Sequence, residues 1–86
     1  MSASAFTVYS KVPCPYCEAA KRLLSARNIP YTLIDLTDKD DEIMAMKNQW
    51  GHATVPIVIY KDKLIGGYDE LAALDRSGQL KQMATA

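Results

Sequence analysis

The chain has 86 residues, ten acids against ten Lys and Arg, and 49% hydrophobic content. That is enough for one small domain with a packed core, and it argues against intrinsic disorder. A formal net charge of zero argues against nucleic acid or an anionic membrane as the main partner.

In chain order, Phe6-Thr7-Val8-Tyr9-Ser10 is rich in aromatic and β-branched residues and predicts a first strand. Cys14-Pro15-Tyr16-Cys17 follows and contains the only two cysteines. Pro15 suits the first turn of a helix, where its missing N–H costs nothing. Ala20, Leu23 and Leu24 then recur at helical spacing, with Lys21, Arg22, Ser25 and Arg27 on the other face. Asn28 and Pro30 stop this helix. Tyr31-Thr32-Leu33-Ile34-Asp35 predicts a second strand, parallel to the first. Thr37 or Asp38 is the expected cap of a second helix, whose stripe is Ile43, Met46 and Trp50 and whose stop is Gly51. The nearly continuous apolar run Val55 to Tyr60 predicts a strand covered on both faces. Lys61-Asp62-Lys63 turns into Leu64-Ile65 to make an antiparallel hairpin. Gly66-Gly67 breaks the run, and Tyr68 to Arg76 predicts a third helix ending near Ser77-Gly78. Leu80 to Ala86 is expected to add one last turn before fraying. The expected fold is α/β: a four-stranded mixed sheet in the order β-α-β-α-β-β-α, one domain over residues 1–86, with helices on both faces.

Two thiols three positions apart at a helix start can close and reopen a disulfide. A thiolate there faces free backbone N–H groups and the positive end of the helix dipole, so Cys14 is the expected nucleophile. Helix-start Cys-x-x-Cys thiols titrate at roughly 3.5–7.5, against about 8.5 for a free thiol. Cys17, one turn in, is expected to be buried, with a higher pKa, and to act as the resolving thiol. Lys11 adds positive charge just before the motif. A structural zinc site needs four ligands, and His52 is the only other soft candidate, so no metal is expected. His52 itself reads as an exposed histidine without a role. Residues 1–5 carry no basic leader and no apolar run approaches membrane-spanning length. Closely spaced cysteines without a leader fit a reducing compartment, so the cytosol is expected.

Cys-Pro-Tyr-Cys after the first strand, Thr54-Val55-Pro56 before the third and Gly66-Gly67 after the fourth resemble the glutaredoxin family. The resemblance spans roughly residues 5–82 and implies a thioredoxin-like fold. It implies a glutathione-dependent thiol–disulfide oxidoreductase that reduces protein disulfides and glutathione mixed disulfides, with glutathione as co-substrate. It also implies a cis Val55–Pro56 bond that turns the Val55 backbone toward Cys14, where the tripeptide pairs as an extra strand. Tyr16, Thr54, Val55 and Pro56 would line the groove. Gly67, Tyr68, Asp69 and Glu70 would receive the γ-glutamyl end, and Lys11 the glycine carboxylate. Three positions depart from the family pattern. Pro13 stands where a small hydroxyl residue is usual, Tyr68 replaces a smaller residue, and Glu70 takes an aspartate's place and equally suits the helix N-terminus. A monomer is expected. A thioredoxin-reductase-driven redoxin serving ribonucleotide reductase, and an iron–sulfur carrier sharing a cluster through Cys14 and glutathione, are the alternatives.

Overall fold

The computed structural model describes residues 5–52 and 54–85, the last of these by its backbone alone. The expectations for residues 1–4 and for Ala86 lie outside the described residues. The elements are β1 (Phe6–Ser10), α1 (Pro15–Ala26), β2 (Tyr31–Asp35), α2 (Asp40–Trp50), β3 (Ile57–Tyr60), β4 (Lys63–Gly66), α3 (Tyr68–Ser77) and α4 (Gln79–Thr85).

The strands form one sheet in the order β2-β1-β3-β4. β1 runs parallel to β2 and antiparallel to β3, and β3 and β4 make the expected hairpin. The parallel pair follows from the crossover helix α1, which returns the chain to the same sheet end. A register irregularity between Val58 and Ile59 falls beside Gly66, whose φ of 128° is open to glycine alone.

Alternation along the central strands fills two layers. Phe6, Val8 and Val58 point to one face, where Ala20 and Leu24 of α1, Leu71 of α3 and Leu80 of α4 complete a buried cluster. Full burial of each leucine there contributes roughly 1.5–3 kcal/mol. Ile57 and Ile59 point the other way and are buried as well. Their burial assigns that face to α2, whose Ile43 is its buried residue. The mixed sheet between helices is thus the architecture expected, with the order extended by one helix.

Two local expectations are corrected. The segment after Gly78 is a seven-residue helix rather than a fraying turn. Leu80 is 1% exposed in the core, and the Tyr60 hydroxyl donates to the Met83 carbonyl at 2.9 Å, so the last helix is anchored. Neither Thr37 nor Asp38 caps α2; the cap position is Lys39, with no side-chain hydrogen bond. Thr37 is engaged elsewhere: its hydroxyl accepts the Val12 N–H at 2.9 Å and donates to Asp35. That contact ties the loop carrying the cysteines to the end of β2. Asp35 also accepts the Thr37 N–H, and these two bonds hold its carboxyl below the usual range.

Candidate active site

Cys14 occupies the N-cap position of α1, in extended backbone geometry, with Pro15 opening the helix. Its Sγ accepts the Cys17 N–H at 3.1 Å. This is the donor that a helix start supplies to a sulfur, since the first-turn N–H groups have no partner within the helix. The Cys14 thiol also reaches the Val55 carbonyl at 3.9 Å. The Val55–Pro56 bond is cis, as expected, and Val12–Pro13 is cis as well, which the sequence did not signal. Both thiols are free, with Cys14 half-buried and Cys17 at 0% exposure.

Burial is the main reason the Cys17 thiol is pushed up to about 12. Its contact with Cys14 raises it further, while a backbone hydrogen bond from Lys11 opposes both. The fold therefore favours the protonated Cys17 thiol. The stability this adds is complete below the thiol's ordinary value of 9.0 and is lost as pH climbs toward about 12. The reduced protein should lose stability across that window relative to a Cys17→Ala variant, read by denaturant titration. At neutral pH iodoacetamide should label Cys14 and spare Cys17 until the chain unfolds, read by peptide mass mapping.

A cleft of about 260 Å³ opens beside the thiol pair. It is lined by Tyr16, His52, Thr54, Val55, Pro56, Gly67, Tyr68, Asp69 and Glu70. Eight of these are the expected groove residues, drawn from three separate stretches of sequence. The α1 start, the loop before β3 and the α3 start meet because β1 and β3 are adjacent and β4 delivers the chain to α3. Tyr16 is 62% exposed, and its ring lies 6.2 Å from that of Tyr68, so the two aromatics form one wall. Tyr68 lines the groove.

Three residues stand apart from the rest of the groove. Lys11 is half-buried and is not among the residues lining the cleft; its backbone, not its charge, meets the thiol pair through Cys17. Glu70 lines the cleft, but its Oε1 accepts the Gly67 N–H at 2.7 Å, the helix-end role. That bond is the chief reason its carboxyl sits below the usual range. His52 is half-buried and lines the cleft, where an exposed histidine was expected. Its position directly after the helix stop Gly51 and two residues before Thr54 was the available signal. Among the described residues no group of three or more His, Cys, Asp or Glu side chains gathers as a metal site.

The family described as Glutaredoxin matches residues 6–65. A glutaredoxin of Ricinus communis is 38% identical over 88 residues, covering 99% of this chain and 86% of the relative. Glutaredoxin 3 of Escherichia coli (strain K12) is 36% identical over 73 residues, covering 85% of this chain and 88% of the relative. Among solved structures, a buckwheat glutaredoxin–glutathione complex superposes with a TM-score of 0.87 at 34% identity, covering 95% of this chain and 77% of that one.

Proposed function

The chain belongs to the glutaredoxin family of glutathione-dependent thiol–disulfide oxidoreductases, and from that premise we propose a division of labour within its thiol pair. Cys14 attacks and Cys17 resolves. With a glutathionylated substrate, Cys14 thiolate attacks the glutathione sulfur. The substrate leaves as its thiolate, and a second glutathione releases glutathione disulfide and restores Cys14. With a protein disulfide, Cys14 forms a mixed disulfide with one substrate sulfur and frees the other. Cys17 then attacks Cys14 Sγ, the reduced substrate leaves, and two glutathiones reduce the Cys14–Cys17 bridge to give glutathione disulfide.

The observation that carries this reading is the asymmetry of the two sulfurs. One is half-exposed beside the Val55 carbonyl with an N–H aimed at it; the other is sealed one helical turn away. Tyr16, Thr54, Val55, Pro56, Gly67, Tyr68 and Asp69 serve in the proposal as the tripeptide's contacts. The glutathione complex of the buckwheat relative supports glutathione as the ligand of the cleft. Lys11 is proposed to meet the glycine carboxylate, from the family resemblance alone. The cytosol as compartment belongs to the same proposal on the strength of the cysteine usage, and a monomeric state is proposed as the default for one small domain. Ribonucleotide reductase is proposed as a protein substrate from the family resemblance alone.

The deciding experiment measures turnover of a small glutathione mixed disulfide with glutathione, glutathione reductase and reduced nicotinamide cofactor. Saturable turnover is expected. Turnover with thioredoxin reductase and none with glutathione would instead favour the redoxin alternative. Visible absorption after anaerobic purification would favour the iron–sulfur carrier.

A further inference from the structure

His52 meets Glu70 and Gly67 at one corner of the cleft. Its Nε2 is sealed from solvent and has no hydrogen-bond partner. That nitrogen lies 3.2 Å from the point a Cβ on Gly67 would occupy, and Glu70 Oε1 lies 3.5 Å from the same point. The same Oε1 holds the Gly67 N–H. An imidazole nitrogen, a carboxylate oxygen and the N–H of Gly67, the N-cap of α3, therefore meet at one corner. A buried polar nitrogen left unpaired is costly, and such groups are rare in native structures.

The charges around it set the direction of the effect. Among the described residues lining the cleft, Asp69 and Glu70 contribute carboxylates, and His52 is the one side chain able to become cationic. The other titratable groups on the cleft are Tyr68 of α3 and Tyr16 of α1. On its own side His52 follows α2 directly, and its N–H donates to the Lys47 carbonyl at 3.1 Å; the half-buried Lys47 side chain is the charge there. Glutathione at neutral pH carries two carboxylates and one ammonium, a net negative charge. With His52 neutral, the cleft meets that ligand with two carboxylates. With His52 protonated, its charge acts on Glu70, offsets one of these carboxylates and turns this corner toward anions.

We propose that His52 is a specificity-determining residue of the cleft: its protonation sets how strongly the groove takes an anionic tripeptide. The inference rests on glutathione being the ligand of this cleft. His52 acts through Glu70 and needs no direct contact with the ligand. Histidine is the side chain whose charge ordinarily changes between about pH 5 and 8. An opposite charge at this range, partly screened, is worth about a three- to tenfold change in affinity.

The chain has one histidine, so its imidazole proton resonances are unambiguous. The test follows them through a pH titration of the full wild-type chain, free and saturated with S-methylglutathione, which cannot exchange with Cys14. By linkage, a ligand held three- to tenfold more tightly by the protonated form moves the midpoint up by about half a pH unit to one. A His52 midpoint unchanged on saturation overturns the proposal. If no resonance anywhere responds to the probe, glutathione is not the ligand of the cleft and the earlier reading fails first. A second arm compares KM for a glutathione mixed disulfide in wild type and His52→Gln. Both share the titration of Cys14, so the ratio isolates His52. It should be near one at pH 8 and rise to about three- to tenfold at pH 5.5, and a flat ratio overturns the proposal independently. Glu70→Gln should lower KM at pH 8 and weaken the pH dependence, whereas a structural role alone would leave the pH profile unmoved.

Discussion

Replacing Cys14 with serine should reduce turnover of both substrate classes by roughly 10⁴-fold or more, as loss of a covalent nucleophile does. The hydroxyl is similar in size and can still accept the Cys17 N–H, so the α1 start keeps its cap. What disappears is chemistry. An alkoxide is not accessible near neutrality, and an S–S exchange has no counterpart with oxygen as the attacking atom. Cys17 cannot substitute. It is fully buried, and burial disfavours its ionised form, so it is not presented to a substrate arriving from solution. The glutathione-coupled assay, with a melting curve to show that the variant is folded, checks this. Residual activity above about a hundredth of the parent would mean that Cys17 attacks substrate directly, and the assignment of roles would have to be reversed.

The sequence revealed the sheet and the thiol pair because both depend on short-range chemistry. Alternating aromatic and β-branched residues predicted β1 and β2 with the bounds observed, and Gly51 and Asn28, both at positive φ, ended the helices they were expected to end. The cleft was readable in eight of its nine residues because three motifs, brought together by one topology, each carried their own signal. What stayed hidden depended on contacts distant in sequence. Thr37 looked like a helix cap because capping is a local pattern; that its hydroxyl answers the Val12 N–H, 25 residues back, is decided by the parallel pairing of β1 and β2. Seven residues with a single core leucine gave too little periodicity to show that α4 docks, yet Leu80 fills the cluster beneath α3. His52 and Glu70 belong to one corner only once β3 and β4 have returned the chain to the same sheet end.

Cys17→Ser should separate the two reactions. Reduction of a small glutathione mixed disulfide needs one thiol, because the second glutathione enters from solution, so turnover should stay within severalfold of the parent. Reduction of a protein disulfide should fall by on the order of 10²-fold or more. In the parent, the resolving sulfur waits one helical turn from Cys14, and an intramolecular attack of this kind acts as if the thiol were present at a concentration no solution reaches. In the variant only millimolar glutathione remains to break the covalent link, and the bulk of a protein substrate shields it. The intermediate should therefore accumulate and be visible by intact mass as chain plus substrate under non-reducing conditions, and it should vanish on adding dithiothreitol. Burial complicates the substitution: a serine hydroxyl at a site of 0% exposure lacks a thiol's ease in apolar surroundings and costs about 1–3 kcal/mol where it finds no partner. Cys17→Ala removes that cost and leaves the chemistry equally blocked, so agreement between the two variants ties the effect to the missing sulfur. Loss of both reactions in two folded variants would show that the Cys17 side chain holds Cys14 in its working state through the packing beneath it, since both variants keep the backbone N–H aimed at Cys14 Sγ, and that resolution is not its only task.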